Sequence, residues 1–186
     1  MKYFICLLVS LCVTSTATIV LAEQGQYFSK GDTEIGFHGS YNYISVDVDN
    51  ESENIDFFYA DLEASYYLID NLSVGVSTVW FYLPEISNFT AYALGLEGNA
   101  RYHFQVNQHF VPYIGAHAGY YYADADIDGT SESDSINSYG VHAGFKVPIN
   151  DNVFFDTQLK WTDYNLPWDG IKLSATQFLL GLKIKF

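Results

Sequence analysis

The chain has 186 residues, 49% of them apolar, 18% aromatic and only 16% charged, where a soluble domain has about 25% charged. Its 22 acidic against 8 basic residues give a net charge of -14, which excludes nucleic acid as a partner, because phosphates need a basic surface. The aromatic content and a mean hydropathy near zero exclude a disordered chain.

The first element in chain order is a targeting segment. Lys2 precedes an uncharged stretch from Tyr3 to Ala22. Its core, Phe4 to Val13, has the length of a signal-peptide apolar region. Val20-Leu21-Ala22 places modest or small residues at -3 and -1, which predicts cleavage after Ala22. An uncleaved anchor is the rival reading, since a segment of this length just spans a bilayer; the polar break Thr14-Ser15-Thr16 weighs against it. Leu11 before Cys12 is too bulky for lipoprotein processing. Cys6 and Cys12 are the chain's two cysteines. Residues 23–186, read as one barrel domain, therefore hold no disulfide, thiolate metal site or cysteine nucleophile.

From there on the chain alternates with period two. The pattern predicts eight strands over 33–46, 56–68, 72–82, 90–104, 110–122, 138–148, 153–163 and 174–186. In the first, Ile35, Phe37, Gly39, Tyr41 and Tyr43 share a face opposite Glu34, Gly36, His38, Ser40 and Asn42. In the second, Phe58, Ala60, Leu62, Ala64, Tyr66 and Leu68 oppose Tyr59, Asp61, Glu63, Ser65 and Tyr67. The fourth and last strands repeat the division, with Glu97, Arg101 and His103, then Lys183 and Lys185, on the polar side. Short turns are expected at Asp70-Asn71, Val106 to Gln108 and Asn150 to Asn152. Long polar loops are expected at 47–55, 83–89, 123–137 and 164–173. Short turns at one end and long loops at the other are the pattern of an outer-membrane barrel.

A soluble sandwich or lipocalin would alternate too, and the charged face separates the readings. The apolar face of each strand carries no Lys, Arg or Glu in its span. The other carries Glu34, Asp61, Glu63, Glu97, Arg101, Lys146, Asp156, Lys160, Lys183 and Lys185, with His38, His103, His117 and His142. A soluble core could not bury that set, since unpaired buried charge is very costly. With lipid outside, every backbone group must be paired, which forces the sheet to close. Aromatics also gather near strand ends, as interfacial girdles require. Trp80, Tyr82, Tyr92, Tyr120, Tyr122, Tyr139 and Trp161 lie toward the long loops; Tyr66, Tyr102, Phe104 and Phe186 lie toward the short turns.

Two local features carry a family resemblance. Phe110-Val-Pro-Tyr-Ile-Gly-Ala-His-Ala-Gly-Tyr120 resembles the Pro-Tyr-x-Gly-x-x-x-Gly strand of the small OmpX/OmpA-type outer-membrane β-barrel proteins of Gram-negative bacteria. Gly181-Leu-Lys-Ile-Lys-Phe186 resembles the C-terminal signal read by the barrel-assembly machinery, with Gly181, Ile184 and Phe186 as its elements; Leu179 departs from the polar residue usual there. The resemblance covers the whole chain after the signal segment. It implies an all-β, transmembrane, antiparallel up-and-down barrel in the bacterial outer membrane. Lipid and lipopolysaccharide would surround it, and the expected state is a monomer.

Parity places Glu34, Asp61, Glu63, Glu97 and Asp156 in the lumen with Arg101, Lys146, Lys160, Lys183 and Lys185. An eight-stranded barrel is just wide enough for its own side chains, so this set predicts an ion-pair plug. The expected role is structural or surface-interacting, without enzyme activity or resident cofactor. A narrow porin-like channel for small solutes is the alternative. A lipid-modifying enzyme is the second: His38-x-Ser40 is reminiscent of lipid A deacylases, but it points inward on the first strand and lacks their context. Asp124-Ala-Asp-Ile-Asp-Gly129 matches the opening of a calcium loop, with Ser135 where a bidentate Glu belongs. Asp124, Asp126 and Asp128 are thus candidate ligands for weak Ca2+ binding on loop three.

Overall fold

The structure is a computed structural model that describes residues 27–48, 51–86, 89–106, 109–127, 130–165 and 172–186. The segment 1–22 and Asp128 lie outside them. The elements are β1 (Thr33–Val48), β2 (Glu51–Ile69), β3 (Leu72–Ile86), β4 (Phe89–His103), β5 (Val111–Ile127), β6 (Thr130–Pro148), β7 (Val153–Asn165) and β8 (Lys172–Lys185). Each pairs antiparallel with the next, and β8 returns to β1, closing one barrel. Among the described residues no helix is long and apolar enough to cross a membrane; the chain crosses with strands.

The two faces of the wall follow the alternation. Ile35, Phe37, Leu62, Val76, Leu94, Leu96, Ile114, Leu159, Leu180 and Leu182 are exposed on the outside, although each is strongly apolar. Their inward neighbours Glu34, His38, Asp61, Glu63, Ser77, Glu97, Lys160 and Lys183 are buried. A soluble domain does the reverse; only lipid makes this distribution favourable. All the aromatics assigned to the two girdles are exposed on this outer face.

The strands outrun their expected ends on the long-loop side. The described residues of the segments read as loops at 47–55, 83–89, 123–137 and 164–173 are strand: Val48 pairs with Glu51, and Ile127 with Thr130. The sixth strand accordingly begins at Thr130, not 138. The physical reason is that a two-stranded ribbon beyond the membrane is solvated on both faces. It needs neither alternation nor apolar residues, so its polar sequence reads as loop. At the opposite end the connections are tight. Asn71 sits at φ 66 in the Asp70-Asn71 turn, a left-handed conformation that Asn tolerates better than most residues.

A segment before β1 folds back under the short-turn end. Phe28, fully buried, stacks on Tyr67 at 4.9 Å with the rings 1° from parallel. It also touches the Phe154 and His103 rings. Gly31 N–H donates to Tyr67 O at 2.9 Å, and Tyr67 N–H donates to Asp32 O at 2.9 Å. Lys30 N–H donates to the Asp70 carboxylate at 2.9 Å. Nothing in the alternation marks this cork, because it is not strand.

Candidate functional site

The lumen is the site that the fold builds. The structure brings the inward charges of six strands into a packed column. At its lower end Lys146 Nζ donates to Glu34 Oε2 at 2.6 Å, and the Tyr67 hydroxyl donates to the same oxygen at 2.9 Å. Lys146 also lies 4.5 Å over the Phe28 ring, a cation–π contact that ties cork to plug.

Above this pair, Glu63 takes both arms of the Arg101 guanidinium, with Nη2 to Oε2 at 2.5 Å. Lys183 Nζ donates to Glu63 Oε1 at 2.9 Å and lies 3.7 Å from Asp156. The Tyr113 hydroxyl donates to Asp156 Oδ1 at 2.8 Å. His38 bridges two acids, with Nδ1 2.8 Å from Asp61 Oδ1 and Nε2 3.1 Å from Asp156 Oδ2. Carboxylates only accept, so both ring nitrogens donate and His38 stands as an imidazolium. Gly181, beside it on β8, has no room for a side chain: a Cβ there would strike the His38 ring and the Phe37 carbonyl.

Higher still, Lys160 Nζ reaches both oxygens of Glu97 at 2.7 and 2.6 Å and the Tyr59 hydroxyl at 3.0 Å. The Tyr121 hydroxyl donates to Glu97. Tyr59, Val79, Tyr121 and Leu179 then form a buried apolar layer, with Phe81, Ile136 and Tyr164 against it. The five lumenal carboxylates of Glu34, Asp61, Glu63, Glu97 and Asp156 thus face Arg101, Lys146, Lys160, Lys183 and the His38 imidazolium. Lys185 stands apart at the mouth, 3.8 Å from Asp32, donating to Tyr27 O at 2.6 Å.

A second chain of hydrogen bonds leaves Arg101. Its Nε–H donates to His142 Nε2 at 3.0 Å, which puts the His142 proton on Nδ1. That nitrogen lies 3.4 Å from His117 Nδ1, and His117 Nε2–H donates to the Thr162 hydroxyl at 3.1 Å.

Tyr59, Tyr67 and Gln177 lie on the polar face that the alternation assigns them, but several lumen members escaped the sequence reading: the hydroxyls of Tyr113 and Tyr121, the amide of Gln158, and Phe28. Parity was the available signal for the tyrosines, since Tyr113 and Tyr121 share a face with His117.

Ligand atoms of His38, Asp61 and Glu63 lie within 4.8 Å of one another, a spacing that could gather about a cation. Each is already engaged, and a cation there would displace a His38 proton and confront Arg101 and Lys183. The donor set suits the ion pairs better than a metal. Ser40 Oγ makes no hydrogen bond to His38, whose nitrogens are both taken by carboxylates, so His38 does not activate that hydroxyl. On the long-loop side, the β5 backbone is extended through Asp124 and Asp126, with Asp124 paired to Tyr92 and Asp126 to Thr90.

The terminal residues close the wall. Gly181 pairs with His38 on one side and Asp156 on the other; Ile184 pairs with Ile35 and Val153. Phe186 exchanges backbone hydrogen bonds with Thr33 at 2.9 and 3.3 Å, with its ring exposed.

A family model described as "Outer membrane protein beta-barrel domain" matches residues 4–186. No curated protein sequence matches significantly. Among solved structures, Neisserial surface protein A is similar with a TM-score of 0.67 at 18% identity, over 84% of this chain and 98% of that one. The N-terminal β-barrel domain of Pseudomonas aeruginosa OprF gives 0.57 at 18%, over 84% and 98%. The attachment invasion locus protein Ail of Yersinia pestis gives 0.55 at 19%, over 84% and 99%. At such identities the likeness is one of fold. The match of the family model over nearly the whole chain, on a closed barrel with an apolar exterior, makes this chain a member of the outer membrane protein beta-barrel domain family, located in the bacterial outer membrane.

Proposed function

We propose that this barrel is a non-conducting outer-membrane protein with a structural or surface-interaction role, and that it has no catalytic activity. The observation that supports this most is the column of paired charges. Arg101, Lys146, Lys160 and Lys183 are all buried against carboxylates, and aromatic or apolar layers lie above and below them. An ion entering the lumen would have to separate these pairs inside a low-dielectric wall.

Interaction would then fall to the long-loop ends, where the sequence places Asp47, Asp49, Glu51, Glu53 and Asp56, and Asp124, Asp126, Asp128, Glu132 and Asp134. Ail has been crystallised with sucrose octasulfate, a heparin analogue. A polyanion of that kind would be repelled here, so a cationic surface or a layer bridged by divalent ions is the better partner. Planar-bilayer recording of the purified protein tests the closed lumen. We expect no stable unitary steps; reproducible steps of constant size would establish the channel instead.

A further inference from the structure

The lumen holds two histidines that its ion pairs do not use. His117 on β5 and His142 on β6 are both buried on the inner face, with ring centroids 5.6 Å apart and planes 30° from parallel. Every ring nitrogen of the pair is engaged. His142 Nε2 accepts from Arg101 Nε–H at 3.0 Å, so the one proton of a neutral His142 sits on Nδ1. It faces His117 Nδ1, 3.4 Å away, which must therefore accept. The one proton of His117 is left on Nε2 and goes to the Thr162 hydroxyl at 3.1 Å. From Arg101 to Thr162, the chain ties β4 to β7 across the inner side of β5 and β6.

A second proton has no place on either ring while these bonds hold. On His142 Nε2 it would oppose the Arg101 N–H; on His117 Nδ1 it would oppose the His142 N–H. Nor can the rings slide outward. Gly115 stands behind His142 and Gly140 behind His117, and a Cβ at either would strike the ring, so each imidazole rests directly against the wall. The surrounding charges leave no counter-ion for an imidazolium. Arg101 and Glu97 of β4, Lys160 of β7 and Glu63 of β2 act on the pair, and Tyr113 of β5 packs its ring edge against His142. Glu97 is held by Lys160 and Tyr121, and Glu63 by Arg101 and Lys183. Both carboxylates that face the pair are therefore taken. His38 is the opposite case, an imidazolium set between Asp61 and Asp156.

We propose that His117 and His142 form an acid-released latch inside the barrel wall. At neutral pH both rings are uncharged and the chain from Arg101 to Thr162 is closed. Imidazoles freed from the chain take up protons below about pH 6.5. The closed chain takes up none, so each proton bound favours the open state, and the latch weakens as the pH falls. Release frees Arg101 Nε and the Thr162 hydroxyl. It also sets two imidazoliums beside Arg101 and Lys160, the register partner of His142, and their repulsion opposes reclosing until the pH rises. The latch rests on these contacts alone and holds whether or not the lumen conducts.

The test uses the protein purified from outer membranes, in phosphatidylcholine vesicles. Its folding constant from urea unfolding is compared with that of the double replacement His117→Gln with His142→Gln, whose amides do not titrate yet keep an acceptor for Arg101 and a donor for Thr162. Between about pH 7.5 and 5.5 the parent's constant should fall relative to the replacement by about tenfold to a hundredfold, the upper figure being two histidines that stay neutral throughout. His38 acts in the opposite sense, because its folded imidazolium favours the fold as the pH drops through the unfolded value; it is common to both proteins and cancels, as does His109. A relative fall of less than about tenfold would overturn the latch. Nitrogen NMR of the imidazoles in nanodiscs decides independently of how well the replacement folds. At neutral pH His142 should carry its proton on Nδ1 and His117 on Nε2. By about pH 5 doubly protonated rings should appear, together with a shift of the Arg101 Nε signal. The opposite tautomers, rings still singly protonated at that pH, or doubly protonated rings beside an unshifted Arg101 Nε would each overturn the proposal.

Discussion

Replacing Lys160 by Met should be among the most damaging single changes in this barrel that leave the backbone alone. Lys160 bonds both oxygens of Glu97 at 2.6 and 2.7 Å and accounts for the Tyr59 contact at 3.0 Å. Both charged side chains are nearly inaccessible, at 3% and 4%. Without the ammonium, Glu97 keeps only the Tyr121 hydroxyl among the described residues. Removing one partner of a buried pair costs about 3–5 kcal/mol, because it strands the other charge. That is a large part of a total stability of about 5–15 kcal/mol. Replacing both partners, Lys160→Met with Glu97→Leu, should bring stability back to within about 1 kcal/mol of the parent, since well-packed apolar substitutes for buried pairs are often neutral. Urea unfolding in lipid vesicles, followed by tryptophan fluorescence and checked by heat-modifiable migration, measures each value. If Lys160→Met costs under about 1 kcal/mol, or the double replacement costs as much as the two singles summed, then the pair is not the closed, dehydrated contact described here.

Other changes test the remaining parts. Leu94→Arg, on the lipid face, should cost about 2–4 kcal/mol, whereas Tyr92→Arg on the same strand and face should cost about 0–1, because it lies near the interface; equal costs in vesicle unfolding would contradict the membrane placement. Deleting Phe186 removes both backbone bonds to Thr33, and the folded band in outer membranes should fall sharply; normal yields would leave the terminal residue without an assembly role. With Cys6 and Cys12 replaced by Ser, Val111→Cys should resist a charged thiol reagent until Phe28→Ala is added, a change that itself should cost about 3–5 kcal/mol. Labelling already present with Phe28 intact would show that the cork does not seal. Asp124 and Asp126 alternate on an extended strand, about 6.6 Å apart along its backbone, so calcium should bind at this motif no tighter than about 10⁻⁴ to 10⁻³ M; a micromolar, saturable heat on calorimetric titration would contradict that geometry.

Period-two alternation alone settled the strand count, the closure and the direction of each face. It could do so because a strand has only two sides and lipid inverts their usual meaning: Leu62 and Leu94 had to face out once Glu63 and Glu97 could not. The positions of Tyr59 and Tyr67 were legible by the same parity, though not their hydrogen bonds. Which charge meets which was not legible. Glu34 and Lys146 are separated by 112 positions in sequence, and only the register and closure of the sheet bring them to 2.6 Å. Strand ends beyond the membrane read as loops in the sequence, because a solvated ribbon such as 124–127 paired with 130–133 has no buried face to impose a pattern. The Phe28 cork and the His117–His142 contact belong wholly to tertiary structure. One depends on a non-strand segment finding the barrel mouth. The other depends on the register between two strands, and no local residue preference encodes that level.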